Sequence, residues 1–104
     1  MHFVLLATHS AEVCPTSNGK IRELLLGIGP QIPSIAEKAG VTIVSGPYVN
    51  REHITVAVLE ADTADAVDRF ILDARLNQWN SIRVLPSLPI EQGMAQLEEQ
   101  PALF

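Results

Sequence analysis

Apolar residues fall into four short runs that predict four β-strands. The runs cover residues 3–8, 41–45, 54–59 and 81–85. The first and third runs do not alternate between apolar and polar positions, which is typical of strands that are buried on both faces. Turn-forming residues follow the runs, and Pro86 is expected to end the fourth strand.

Between the strands, apolar residues recur at steps of three and four, which predicts amphipathic helices. Ser17 or Asn18 can cap the first helix, which is expected to break near Gly29 and to stop at Gly40. Asp62 or Thr63 is expected to cap a second helix, whose buried side is Val67, Phe70, Ile71 and Ala74. A short amphipathic helix follows Pro89 near the C-terminus.

The order of these elements is β-α-β-β-α-β followed by the short C-terminal helix. Right-handed crossovers and short connections predict a single α+β domain of the ferredoxin-like kind over residues 1–104, with strand order 4-1-3-2 and both long helices on one face of the sheet. The strands are apolar on the other face too. A second copy of the sheet is the simplest cover for that face, so we expect a homodimer.

Composition narrows the classes of partner. The chain has 104 residues, 47% of them hydrophobic and 18% charged, which is too apolar for a disordered chain. Its net charge is −5 and its pI is about 5.0. Because nucleic acids and anionic membranes repel an acidic protein that has no basic stripe, we expect neither as a partner.

The single cysteine and the N-terminal segment indicate the compartment. One cysteine, Cys14, allows no internal disulfide, which fits a reducing cytoplasm. The N-terminal apolar run lacks a basic region and is too short for a signal peptide or a membrane span. We therefore interpret it as the first strand of a cytoplasmic protein.

Two local motifs strengthen the architectural prediction. Ala39-Gly40-Val41 precedes the second strand, and Ser45-Gly46-Pro47 stands at its end. With the order of the elements, they make the chain similar to the dimeric α+β barrel superfamily, which includes YCII-related proteins, muconolactone isomerases, EthD-like proteins and small antibiotic-biosynthesis monooxygenases. The resemblance implies a dimer with a pocket between helices and sheet. It transfers no catalytic residues, because the His-Asp pair associated with YCII-related proteins is missing from matching positions.

The predicted topology gathers scattered polar residues at one end of the sheet. Strand 1 runs antiparallel to strands 3 and 4, so its C-terminal end lies beside their N-terminal ends. The residues expected there come from strand ends and the adjoining loops: His9, Cys14, Asn18, Tyr48, His53, Trp79 and Asn80.

Small-molecule chemistry is the leading interpretation of this cluster. His9 or His53 is expected to act as general acid or base, because an imidazole exchanges protons near neutral pH. Tyr48, Trp79 and Asn80 are candidates for substrate binding. Asn18 is a further candidate, although a helix cap explains it equally well. Proton abstraction, isomerisation and cofactor-free oxidation of a small organic molecule are the reactions that fit.

Two other interpretations remain open. His9, Cys14 and His53 offer two imidazoles and a thiolate, a donor set that suits zinc or copper, although their spacing matches no diagnostic motif. Cys14 has alternative roles as a nucleophile or as an ordinary buried thiol. The third interpretation is a structural or regulatory dimer without chemistry, in which the histidines only complete hydrogen bonds.

Overall fold

The computed structural model describes all 104 residues as four strands and four α-helices. The strands are β1 (His2–Thr8), β2 (Thr42–Tyr48), β3 (Ile54–Glu60) and β4 (Ser81–Ser87). The helices are α1 (Gly19–Ile28), α2 (Ile32–Ala39), α3 (Ala64–Asp73) and α4 (Ile90–Glu99). Short 3₁₀ turns lie at Ala11–Val13, Gly29–Gln31 and Leu76–Gln78. None of the helices combines the length and the apolar character needed to cross a bilayer.

The four strands form one antiparallel sheet in the order β2-β3-β1-β4. Strand β1 therefore has a neighbour on each side, and Leu5 lies opposite both Ala57 of β3 and Val84 of β4. Because the pairing is antiparallel, the end of β1 meets the beginnings of β3 and β4. The fold is thus the expected α+β type with a four-stranded antiparallel sheet.

Two strands extend further than the sequence predicts. The expected ends were Ser45 for β2 and Leu85 for β4, but the strands continue through Pro47 and Pro86. Both are edge strands. Proline has no N–H to donate, and an edge strand tolerates it because only one side of the strand pairs with a neighbour. Irregular pairing along β2 between Ile43 and Tyr48 accommodates its proline.

The helix boundaries follow the capping residues. The Asn18 side chain accepts a hydrogen bond from the backbone N–H of Ile21 at 3.1 Å, and α1 starts at the next residue. The predicted break near Gly29 is confirmed, because a 3₁₀ turn at Gly29–Gln31 separates α1 from α2. Gly40 ends α2 with a left-handed φ of 79°, a conformation that favours glycine.

The hydrophobic core lies between one face of the sheet and helices α2 and α3. Alternate residues of β1 and β3 point into it, and the largest side chains that are fully buried are Phe3, Leu59 and Val67. Burying a side chain of this size stabilises the fold by about 1.5–3 kcal/mol. This core fixes the sheet against the helices, and the ends of the strands are positioned by it.

The other sheet face and helix α4 have no partner within the chain. The open face carries Val4, Val58 and Leu85, which lie side by side on β1, β3 and β4. Helix α4 exposes Ile90, Met94 and Leu97 on one side and makes no substantial contact with the other elements. The residues after α4 expose two more large apolar side chains, Leu103 and Phe104. The radius of gyration is 16.1 Å, whereas a compact chain of this length has about 13 Å. The chain itself therefore leaves two apolar surfaces uncovered.

Candidate functional site

A cavity of about 390 Å³ lies between the helices and the helix-covered face of the sheet. Its walls are mostly apolar and come from both layers: Leu5, Leu25, Ile32, Ala57, Leu59 and Phe70. The volume falls in the range of small-molecule sites. The cavity is therefore large enough for a small organic molecule and offers it an apolar environment.

One end of the cavity is polar, and five of the seven predicted site residues meet there. His9 follows the end of β1, His53 precedes β3, and Trp79 and Asn80 precede β4. Cys14 lies in the connection from β1 to α1. All five line the cavity. The antiparallel pairing of β1 with both neighbours explains this convergence. It places the C-terminal end of β1 and the N-terminal ends of β3 and β4 at the same end of the sheet.

The His9 ring is held in a defined orientation. Its Nδ1 lies 3.0 Å from Oδ1 of Asn80, and the Asn80 amide donates in turn to the backbone carbonyl of Leu76 at 3.0 Å. Because that second bond fixes the amide orientation, Oδ1 is the acceptor and Nδ1–H of His9 is the donor. The remaining nitrogen, Nε2, is buried and has no hydrogen-bond partner in the protein. A buried imidazole nitrogen with a free lone pair is suited to accept a proton or to bind a metal ion.

His53 is held by the loop that connects β2 to β3. Its backbone has a φ of 58°, a left-handed conformation that is uncommon for residues other than glycine. The Asn50 side chain shapes this loop, since its Oδ1 accepts from the backbone N–H groups of Glu52 and Ile54 at 3.1 and 3.2 Å. The His53 carbonyl also accepts a hydrogen bond from the His9 backbone N–H at 3.2 Å. The two histidines are thus joined through the backbone.

Cys14 lies in a loop that is fastened to helix α1. The Arg22 guanidinium donates to the backbone carbonyls of Pro15 and Thr16, both at 2.8 Å. The Cys14 side chain is buried, and its Sγ lies 3.0 Å from the Thr16 hydroxyl. The loop therefore keeps the sulfur at the cavity wall.

The surroundings of Cys14 favour the thiolate. Hydrogen bonds from the Thr16 side chain and backbone lower the pKa of Cys14 from 9.0 to about 6. The neighbouring imidazoles of His9 and His53 contribute less to this lowering, and burial opposes it. At neutral pH the sulfur is then mainly ionised. A thiolate is both a stronger nucleophile and a better metal ligand than a thiol.

The three chemically active side chains lie within reach of one another. One potential ligand atom from each of His9, Cys14 and His53 lies within 4.8 Å of the other two. The ring centres of His9 and His53 are 5.4 Å apart, and the Trp79 ring centre is 5.1 Å from that of His9. The indole thus packs against the His9 imidazole and limits its movement. The arrangement can transfer protons, bind a metal ion or position a polar atom of a bound molecule.

Two predicted site residues lie elsewhere. The Tyr48 side chain is 59% exposed, and its hydroxyl bonds to that of Ser45 at 2.7 Å, away from the cavity. The neighbouring Pro47 and Val49 line the cavity instead. Asn18 also lies outside the cavity lining; its side chain caps α1 and donates to the Glu12 carbonyl at 3.2 Å. Neither side chain lines the cavity. Asn18 meets the polar end only through its backbone N–H, which donates to the Cys14 carbonyl at 2.8 Å.

Three residues that support the site were missed by the sequence analysis. Thr16 bonds to the Cys14 sulfur, Asn50 shapes the His53 loop, and Arg22 fastens the Cys14 loop. Only Asn50 had a visible signal, because asparagine in a hairpin connection often bonds to the backbone two residues later. The contacts of Thr16 and Arg22 depend on the path of a loop that the sequence pattern does not specify.

No family model matches this sequence, and no curated protein matches it. The function is therefore inferred from the cavity and its polar end.

Proposed function

We propose that this protein binds a small, largely apolar organic molecule in the cavity and transfers a proton at its histidine end. The observation that carries the proposal is the unpartnered, buried Nε2 of His9. Asn80 holds the opposite side of the ring, so the free lone pair is oriented before any ligand arrives. A base that needs no reorientation is suited to abstract a proton from a bound molecule.

The remaining residues of the polar end have supporting roles in this proposal. His53 acts as the second acid or base, since it is close enough to deliver a proton to another atom of the same small molecule. Trp79 forms a wall beside His9. The apolar part of the cavity binds the hydrocarbon portion of the molecule and keeps water from the reacting atoms. Enolisation and isomerisation through an enol fit this arrangement. So does cofactor-free oxidation in which the carbanion left by proton abstraction gives its electrons to dissolved O₂.

We further propose that the chain has the ferredoxin-like fold and that it forms a homodimer of the dimeric α+β barrel type. The apolar open face of the sheet supports this assembly, because a second copy would cover Val4, Val58 and Leu85. Helix α4 would then pack against the partner subunit with its exposed apolar side. A reducing, cytoplasmic location is consistent with the single free cysteine.

The proton transfer is tested with metal-free protein and an enolisable apolar ketone, such as 2-tetralone, in deuterated water. Proton NMR measures the rate at which deuterium enters the carbon next to the carbonyl. Wild-type protein is expected to accelerate the exchange, and His9→Asn is expected to reduce that acceleration on the order of 100-fold or more. The amide nitrogen of an asparagine at position 9 can replace Nδ1 as the donor to Asn80, but asparagine has no counterpart of Nε2.

His2→Gln is the matched control, because His2 lies at the start of β1, at the opposite end from His9, next to Glu60. This variant is expected to exchange deuterium as fast as the wild type. If the ketone binds but exchanges no faster than in buffer, or if His9→Asn is as fast as the wild type, proton transfer by His9 is wrong. Failure of the ketone to bind contradicts the small-molecule pocket and favours a purely structural role.

A further inference from the structure

We propose that His9, Cys14 and His53 together bind one zinc or copper ion whose remaining coordination position faces the cavity. The inference rests on the pocket of the proposed function and names its cofactor. In the metal-bound protein the two imidazoles would be ligands and could not act as bases; the ion would instead supply a bound hydroxide, formed when its bound water loses a proton, as the proton acceptor.

The donor atoms identify the class of metal. Two imidazole nitrogens and one cysteine sulfur form the group, and no carboxylate belongs to it. Magnesium and calcium need several oxygen ligands, which this group does not provide. Imidazole and thiolate suit zinc and copper, which share this donor preference.

The spacing of the donors is close to that of an assembled site. The three ligand atoms lie within 4.8 Å of one another. In a tetrahedral zinc site with ordinary bond lengths, neighbouring ligand atoms are about 3.5 Å apart. The group therefore closes around an ion with side-chain shifts of about 1 Å, which rotation about the side-chain bonds of a loop residue such as Cys14 can supply.

The surroundings of His9 are those of a metal ligand. Histidines that bind a metal usually donate their other ring N–H to an oxygen of the protein, which fixes the tautomer and the ring plane. His9 donates its Nδ1–H to Asn80 at 3.0 Å and keeps a buried, unpartnered Nε2. Without an ion or another partner, this buried nitrogen lacks the hydrogen bond that buried polar atoms normally have.

The cavity gives the ion an open position. All three ligands line the same cavity, which continues between the sheet and the helices. Three protein ligands with a fourth position for water or substrate are characteristic of catalytic rather than structural zinc sites. An oxygen, nitrogen or sulfur atom of the bound molecule is thus expected to complete the coordination, while its apolar part occupies the cavity.

Elemental analysis of untagged protein, gently purified without a metal-affinity column, is the first part of the test. The proposal predicts close to one zinc or copper ion per chain. The identity of the co-purified ion distinguishes the two metals, and copper(II) bound to the thiolate would also give an intense visible absorption. The variants Cys14→Ser, His53→Asn and His9→Asn are expected to lose the ion, whereas His2→Gln keeps it. Asparagine suits position 53 because it tolerates a positive φ.

The second part uses chelator-treated protein titrated with zinc and with cobalt(II), a coloured substitute for zinc. One equivalent is expected to bind, with a sulfur-to-cobalt absorption band that Cys14→Ser abolishes. The affinity for zinc is expected to fall by more than about 100-fold in the ligand variants. It is expected to fall by about 10- to 100-fold in Asn80→Ala, which removes the hydrogen bond that orients His9. Circular dichroism checks that each variant is folded, and an unfolded ligand variant leaves the cobalt spectrum of the wild type as the deciding result.

Equal metal content in the wild type and in the folded ligand variants, or a cobalt complex without the sulfur band, would overturn the proposal. So would wild-type protein that contains no ion and binds none in the titration. Failure of the metal site is distinguishable from failure of the pocket, because binding of 2-tetralone to metal-free protein is measured separately. A pocket that binds the ketone without any metal affinity leaves proton transfer by His9 in place.

Discussion

Cys14 is the residue whose side-chain pKa the fold changes most. Its ordinary pKa of 9.0 falls to about 6, chiefly because Thr16 donates to the thiolate. Since the folded-state pKa is depressed, ionisation of Cys14 favours folding most fully above pH 9.0, and this contribution is lost as the pH falls through about 6. The largest cause of the lowered pKa is the hydroxyl group of Thr16, two residues away in the sequence.

This thiolate can be measured by alkylation of metal-free protein with iodoacetamide. The rate is expected to reach half of its maximum near pH 6 in the wild type, because only the thiolate reacts. Thr16→Val removes the largest cause of the shift, so its midpoint should move to higher pH. A wild-type midpoint near the ordinary value of 9.0, or no change in Thr16→Val, would refute this account of the sulfur.

Gly46 is the glycine whose replacement the structure tolerates least. Its φ is 87°, and a Cβ atom added there would lie 2.7 Å from the backbone oxygen of Val56. Gly46→Ala is therefore expected to lower the free energy of unfolding by about 1–3 kcal/mol. Urea denaturation measures the difference.

Gly27 provides the matched control for that substitution, since it lies inside α1 and an added Cβ would meet nothing within 4 Å. Gly27→Ala should raise the free energy of unfolding by up to about 1 kcal/mol, because alanine favours the helix. If both variants are equally stable, the close approach of β2 to β3 at Gly46 is wrong.

The polar end shows what the sequence can predict about single residues. His9, Cys14, His53, Trp79 and Asn80 were expected at one sheet edge from topology alone, and all five line the cavity. Tyr48 was expected there too, but the irregular pairing of β2 turns its side chain away. Irregular pairing shifts which residues share a face. Gly46-Pro47 is a mark of such irregularity, but the sequence analysis took these residues as the end of the strand.

At the scale of elements, the caps and breaks of the helices were predictable and the strand ends were not. The capping residue and the glycine-proline interruption act locally, so the sequence is sufficient to place them. Whether a strand can continue through a proline depends on its position in the sheet. That position is a property of the whole topology and is not visible in residues 45–48 alone.

Asn18 tests whether a cap and a binding residue can be separated. Asn18→Ala removes the bond to the Ile21 N–H and is expected to lower the free energy of unfolding by about 1 kcal/mol. Because Asn18 lies outside the cavity lining, the affinity for 2-tetralone should stay unchanged. Calorimetric titration measures this affinity, and a weakened affinity at unchanged stability would instead make Asn18 a binding residue.

At the scale of the whole molecule, the open sheet face and helix α4 are apolar surfaces that no other part of the chain covers. The open sheet face carries the partly exposed Val4, Val58 and Leu85, and α4 exposes Ile90, Met94 and Leu97. Neither surface covers the other within one chain. The sequence predicted both surfaces, because their residues are apolar on every face of the strands and on one side of the last helix.

The dimer is tested by light scattering at micromolar concentration. The wild type is expected to have the mass of two chains, and Val58→Arg should have the mass of one, since it places a charge at the centre of the open face. Leu26→Arg makes the same kind of change on α1, where the side chain is 71% exposed, and should remain dimeric. A monomeric wild type would exclude the dimer.

The central prediction for this protein is that a small molecule binds beside His9 and His53. It is tested most directly by NMR titration of isotopically labelled, metal-free protein with 2-tetralone. The largest changes are expected at the imidazole of His9 and at cavity residues such as Leu5, Ala57 and Phe70. Changes confined to the open sheet face or to α4, or no saturable change at all, would contradict a functional site at the polar end of the cavity.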